Sequence, residues 1–365
     1  MKKINRVRAR FNGLSVGLDI HKKFIEYCVL SRSGDQISSG RIGGDRAALE
    51  KLMESLHKKG PLQVSLEACG CFVWVFDALV EKLGRDCIHV AQPSRLHVIA
   101  NSMEKNDSND AWWLAYLLYE QRLPEAFVAE GTLRELRIAT RELRACTNLR
   151  SDLIRRFRSH LAQAGEVLKR KNWHASKAGR EDAKQLIALM KGERALALRI
   201  LLRQIQRLGR EVLQWRARVG ALATQLPAVK IISSEMPGFG PIIASTVVAE
   251  LGSPDRFYNQ KAYAKSTGLT PGYRESGGKS AQVGITRQGS SHARWAFTRA
   301  VIGCLRSKKD PWGVQIRKWI ELRAQYKPKR KLIVAAARKL AEGVWRLFAL
   351  GEVFNLARAF PVRTT

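Results

Sequence analysis

Four acidic side chains in the first third of the chain have the types and positions for metal-assisted phosphodiester chemistry: Asp19, Glu67, Asp107 and Asp110. Asp19 follows the apolar run Ser15-Val16-Gly17-Leu18, where an acid is disfavoured by propensity and costly to bury alone. It must sit exposed at a strand end, be hydrogen-bonded, or bind a cation; a turn aspartate is the plain alternative. Glu67 closes Leu62-Gln63-Val64-Ser65-Leu66, and helix-covered sheets bind ligands at the carboxyl ends of their strands. Asp107 and Asp110 share one face at helical spacing, although Asp at a helix start also serves as a cap. Two like charges about 4 Å apart cost roughly 4 kcal/mol at an effective dielectric near 20. Divalent cations relieve that repulsion, and two hard ions about 3.5–4 Å apart suit a phosphodiester.

Those residues converge only in one order of elements. A strand over about 14–20, a β-branched and aromatic run over 24–31 and, after the turn Ser33-Gly34-Asp35, a third strand over 36–42 read as an antiparallel meander. Asp45 to Lys59 is helical, with Leu49, Leu52, Met53 and Leu56 on one face, and Gly60-Pro61 ends it. The strand to Glu67, the turn Ala68-Cys69-Gly70-Cys71 and a helix Phe72–Leu83 follow; a strand Cys87–Ala91 leads through Pro93 to a short helix, and Glu104–Asp110 opens a helix Ala111–Gln121. This is the order of the ribonuclease H-like fold. The actin-like ATPase fold also starts with an acid on its first strand, but the N-terminal third has no glycine-rich second phosphate loop.

Composition names the partner class. The 365 residues are 45% hydrophobic, enough for a packed core, and 64 Lys and Arg face 32 Asp and Glu for a formal charge of +32. Such a chain repels itself without a polyanion, and nucleic acid is the default one. With no apolar run of about 18 residues and no leader pattern behind the basic arm Met1–Arg10, a cytoplasmic protein without membrane contact is expected. The six cysteines are scattered, and Cys69-Gly70-Cys71 has neither zinc spacing nor a second ligand pair.

Residues 132–226 are helix-forming and Arg-rich. Leu198, Leu201, Ile205, Leu208, Val212, Trp215, Val219, Leu222 and Leu226 step by threes and fours, the seam of a coiled coil. An earlier helix, roughly Leu133–Leu161, carries Leu136, Leu143, Leu153, Phe157 and Leu161. Together they form an antiparallel hairpin, an intermolecular seam, or both, with Lys169–Arg180 at the tip and Arg134, Arg137, Arg141, Arg144, Arg150, Arg155, Arg156 and Arg158 on the outside, suited to phosphates. Met236-Pro237-Gly238-Phe239-Gly240-Pro241 resembles a helix-hairpin-helix turn, or is an ordinary tight turn. Leu269–Ser280 and Gly284–Arg294 read as glycine- and hydroxyl-rich loops, and a basic helical stretch, Lys327–Leu350, closes the chain.

Gly17-Leu18-Asp19-Ile20-His21-Lys22, Glu67-Ala68, Asp107-x-x-Asp110, Pro237-Gly238-Phe239-Gly240-Pro241, Gly268-Leu269-Thr270-Pro271 and Ser276-Gly277-Gly278-Lys279 occur in this order. As a set they resemble the DEDD transposases of the IS110 class of bacterial insertion sequences, relatives of Piv-type DNA invertases. The resemblance implies an α/β plus mainly α protein: a RuvC-like ribonuclease H-fold domain over 1–128, a coiled-coil or helical linker over 129–228, and an α-rich C-terminal transposase domain over 229–365. It implies that Asp19, Glu67, Asp107 and Asp110 hold Mg2+ (or Mn2+) and that Ser276 forms a transient phosphoserine link to DNA. It also implies a noncoding bridge RNA that pairs with donor and target DNA, and a homodimer assembling to a tetramer beside the nucleoid. Ser280, Ser290 and Ser291 rival Ser276; Arg274, Lys279, Arg287 and Arg294 are candidates for charge on the phosphate. Two other readings remain: a RuvC-like metal nuclease that uses water, and a noncatalytic basic nucleic-acid scaffold.

Overall fold

The computed structural model describes residues 11–93, 95–96, 107–276, 279–307 and 309–362, without the side chains of 107–109 and 273–283. The basic arm, the short helix after Pro93 in most of its length, and the side chains of Asp107, Arg274, Ser276, Lys279 and Ser280 thus lie outside the described residues. The chain divides into two units, Met1–Val128 and Ala129–Thr365.

The first unit is a mixed sheet with helices on both faces. Its strands β1 (Leu14–Ile20), β2 (Phe24–Leu30), β3 (Gln36–Gly43), β4 (Leu62–Glu67) and β5 (Ile88–Ala91) lie in the order β3-β2-β1-β4-β5. The meander pairs antiparallel, as the turn residues require, and β4 and β5 add in parallel. Helices α1 (Arg46–His57) and α2 (Phe72–Leu83) supply the crossovers. Asp45 caps α1, accepting from Ala48 N at 2.9 Å. Leu49, Met53, Val75, Phe76 and Leu79 bury against Val16, Leu18, Ile25, Val64 and Leu66, each contributing about 1.5–3 kcal/mol on full burial. Helix α3 (Asp107–Tyr119) covers the other face, with Ala111 and Ala115 against Cys28 and Leu30.

The second unit is helical apart from one β-hairpin. Helices α4 (Gly131–Ala162) and α6 (Gly192–Ala223) pack along their lengths, joined through α5 (Lys177–Ala188). Phe157 and Leu161 meet Leu198, Leu201 and Ile205 at one end, and Leu136 and Leu143 share a core with Val219 and Leu222 at the other. The pair is therefore antiparallel, and the leucine seam of α6 is buried within one chain. The hairpin is thus among the arrangements the periodicity allows; α5 is an addition at the tip, where the sequence reads as a basic connection.

The base of the hairpin shares its core with α7 (Pro227–Glu235), α8 (Pro241–Leu251), α9 (Gln260–Ser266), α10 (Ser291–Arg306), α11 (Pro311–Ala324) and α12 (Lys329–Ala349). Where composition suggests loops, residues Pro271–Ser276 and Lys279–Ile285 form the strands β6 and β7, paired antiparallel with Ser276 opposite Lys279. Backbone pairing makes these strands, and glycine and serine do not announce it.

Candidate active site

Asp19 and Glu67 stand at the carboxyl ends of neighbouring parallel strands, each one residue past the pair Leu18–Leu66. Side chains alternate across a sheet, so with Leu18 and Leu66 packed under α1 and α2, the two carboxylates share the face that α3 covers. Gly17 lies on that face as well. A Cβ on it would come within 2.0 Å of Ala111 O and 2.5 Å of Ala115 N, so only glycine lets α3 approach. The far end of α3 fixes its direction: Tyr119 Oη donates to Ser33 O at 3.1 Å, at the turn beyond the start of β1. The first turn of α3, with Asp107 and Asp110, therefore faces the acidic end of the strands. Asp110 is half-buried, and the side chain of Asp107 is outside the described residues.

Two further groups belong to this neighbourhood, and neither is marked by the acidic pattern. His21 Nε2 lies 2.9 Å from Asp19 Oδ2, with Asp19 15% and His21 36% exposed. The imidazole stacks on Phe24 at 4.4 Å, and Arg41 covers the same ring at 3.9 Å. Across β1 and β2 Asp19 is paired with Glu26, a buried carboxylate held by Arg41 Nε at 3.1 Å. A Glu opposite an Arg in adjacent strands is the only trace of this in the sequence. Among the described residues no group of three or more His, Cys, Asp or Glu side chains is arranged to hold a metal ion. The donor set nonetheless fits a hard divalent cation: half-buried carboxylates on one face at strand ends, one of them oriented by a histidine.

In the second unit Ser276 ends β6, and backbone hydrogen bonds tie the base of that hairpin. Thr286 N donates to Thr270 O at 2.9 Å and Arg287 N to Gly268 O at 3.2 Å. Gly289, at φ +106°, lies so close to Ser266 O that a Cβ would stand 1.8 Å from it. Arg294 Nη1 ties the flanks together through Thr267 O at 3.1 Å and Arg287 O at 3.3 Å. Arg294 thus holds the base of the hairpin.

Below it a buried ion cluster joins three helices. Glu250 of α8, 2% exposed, accepts from Arg141 Nε and Nη2 at 2.7 and 2.9 Å and from Ser290 Oγ at 2.8 Å. Ser290 in turn caps α10 by accepting from His292 N and Ala293 N. Burial pushes the Glu250 pKa up, but the hydrogen bonds and charges of Arg141, with Ser290 and Arg137, outweigh it and hold the carboxyl below its usual range. Arg137, expected on the outer surface, instead donates to Ala249 O at 2.8 Å. In the turn between α7 and α8, Gly238, at φ +76°, packs where a Cβ would stand 2.2 Å from Ala300 O.

Residues 16–165 match a family model described as Transposase, of the DEDD type named for IS110, and residues 232–315 match one described as Transposase IS116/IS110/IS902 family. The chain is 23% identical over 350 residues to the probable family 20 transposase of Pseudomonas aeruginosa, covering 92% of this chain and 96% of that one. It is 24% identical over 350 residues to the transposase for insertion sequence element IS1111A of Coxiella burnetii, covering 93% and 91%. A shorter match, 28% identical over 123 residues, links 33% of the chain to 36% of the transposase for insertion sequence element IS1328 of Yersinia enterocolitica.

Proposed function

The chain belongs to the IS110 family of insertion-sequence transposases, and on that premise we propose that it cuts and rejoins DNA through a covalent phosphoserine intermediate. Residues 1–128 act as a RuvC-like, ribonuclease H-fold domain, 129–228 as a helical linker and 229–365 as the transposase domain that carries the serine. In this reading Asp19, Glu67, Asp107 and Asp110 would hold Mg2+, which would supply charge neutralisation for the phosphate. The observation that supports it is the shared face of Asp19 and Glu67, towards which the first turn of α3 is directed.

Ser276 Oγ gives up its proton and attacks phosphorus; a serine–phosphate ester forms, the bond to the leaving sugar oxygen breaks, and that oxygen takes up a proton, so none is gained or lost overall. Attack by the hydroxyl of a second strand reverses these steps and releases the serine. Energy is conserved in the ester, so strand exchange needs no nucleotide cofactor. His21 orients Asp19. A bridge RNA supplies donor and target choice, and the protein acts in the cytoplasm as a dimer that assembles to a tetramer on DNA. No helix among the described residues is long and apolar enough to cross a membrane.

The test is covalent trapping. The protein is incubated with Mg2+, co-purified RNA and a donor or target duplex, and wild type is compared with Ser276→Ala and Asp19→Asn. An adduct in wild type alone supports the reading. Metal-dependent nicking that survives Ser276→Ala, without an adduct, sinks it in favour of a water-using nuclease.

A further inference from the structure

The distal half of the helical hairpin gathers arginines around one loop that no carboxylate neutralises among the described residues. Arg150 of α4 lies across α6 at Gly209, where a Cβ would stand 3.1 Å from Arg150 Nη2 and 3.2 Å from its Cζ. The segment between α4 and α5 folds back, so that Trp173 stacks on Phe157 at 4.6 Å and meets His174 edge-on at 5.8 Å. Gly179, in the first turn of α5, abuts Trp173; a Cβ there would come within 2.4 Å of Trp173 O. Arg158 donates to Lys171 O at 2.5 Å and Arg180 to His174 O at 3.3 Å. Both guanidiniums are therefore fixed around the loop by carbonyls.

The neighbouring carboxylates are already engaged: Asp152 with Arg155, Asp182 with Arg170, Glu181 with Lys184 and Glu211 with Arg207. Arg150, Arg158 and Arg180 have no carboxylate partner among the described residues. Arg150 Nε, Trp173 Nε1 and His174 Nδ1 are buried without a hydrogen-bond partner there. Burial, then Arg180 and Arg216, press the Arg150 pKa down; burial, then Arg150 and Arg158, do the same to His174. Three guanidiniums gathered around one loop, repelling one another and without a carboxylate partner among the described residues, make a cationic patch that a phosphate would neutralise. The amino end of α5, a twelve-residue helix capped by Ser176, adds backbone N–H groups beside it.

We propose that this patch seats a backbone phosphate of duplex DNA, anchoring the hairpin to the substrate away from the acidic residues. Phosphate is favoured over a base because the aromatic rings here, Phe157 and Trp173, are fully buried and offer no stacking surface. A partner read only through its phosphates is a duplex, whose bases face inward. The proposal rests on the chain acting on DNA, as the transposase reading requires.

The test uses full-length protein and a random-sequence DNA duplex, with binding followed by fluorescence anisotropy across a salt series. Arg150→Gln and Arg180→Gln are compared with Lys184→Gln, an equal charge change outside the patch. Each patch variant is expected to bind several-fold more weakly and to reduce the salt slope by about 1, while its melting temperature stays level or rises because repulsion is relieved. Patch variants that bind as tightly as Lys184→Gln, or a loss confined to an RNA duplex, overturn the proposal. A lower melting temperature with unchanged binding assigns the arginines to structure alone. Failure of wild type to bind the duplex overturns this inference alone, because the transposase reading is decided separately by covalent trapping with the co-purified RNA.

Discussion

Gly17 of the central strand touches the backbone of Ala111 in α3, with room for no side chain between them: a Cβ would stand 2.0 Å from Ala111 O. This contact directs the first turn of α3 to the end of the strands where Asp19 and Glu67 lie. Gly17→Ala is expected to lower stability by about 1–3 kcal/mol or more through overpacking and to remove metal-dependent DNA cleavage at temperatures where the chain remains folded. Circular dichroism melts and a cleavage assay check both halves; full cleavage by a folded Gly17→Ala protein refutes the placement.

Chelation is expected to abolish cleavage, and restored Mg2+ to recover it. His21→Ala should retain the reaction but lower its rate about 10–100-fold at limiting metal, as loss of a ligand-orienting partner does. Excess Mg2+ should recover part of that loss, whereas Asp19→Asn should gain nothing from it. A metal titration of initial rates separates the two variants.

The Glu250 carboxyl titrates below its ordinary value in the native protein, so it contributes stability above the unfolded pKa of about 4.3 and loses it as pH falls through the lowered native value. Glu250→Gln should cost about 2–3 kcal/mol at neutral pH, less than a fully buried pair, since Arg141 is 47% exposed. It should also flatten the acid side of the stability profile. Denaturant melts between pH 3 and 7, on the order of the ordinary carboxylate range, measure both effects. Ser290→Ala should lose about 1–2 kcal/mol as a helix cap yet still form the covalent adduct that Ser276→Ala abolishes.

Ile205 is 1% exposed, in a core formed with Phe157, Leu161 and Leu198 of the same chain. Ile205→Ala is expected to destabilise the hairpin by about 2–5 kcal/mol, to the same extent at every protein concentration. A loss that vanishes at high concentration would mean that the seam is buried between chains.

Much of the first unit is legible in the sequence because its signals are local. Strand alternation and the Ser33-Gly34-Asp35 turn set the meander, and a carboxylate at the end of an apolar strand is conspicuous wherever it occurs. The α6 seam is equally plain, although periodicity does not say which partner covers it. Relationships that depend on tertiary approach are not legible. Glu250 reads as one more helix residue until Arg141, more than a hundred positions earlier, and Ser290 are brought to it. Likewise Arg137 and Arg141 share the spacing of a solvated basic face with Arg155, but the packing of α4 against α8 half-buries Arg137 on the Ala249 carbonyl and ties the exposed Arg141 to the buried Glu250.

The division of the chain into Met1–Val128, with all four candidate acids, and Ala129–Thr365, with Ser276, has a genetic consequence. A mutation in the acids and a mutation in the serine fall in separate units, so on the proposed mechanism they are expected to define two classes of inactive allele. Coexpressed Asp19→Asn and Ser276→Ala proteins regain activity if a reaction draws its acids from one protomer and its serine from another. If both come from the same protomer, mixing rescues nothing, and every inactive allele belongs to a single complementation group.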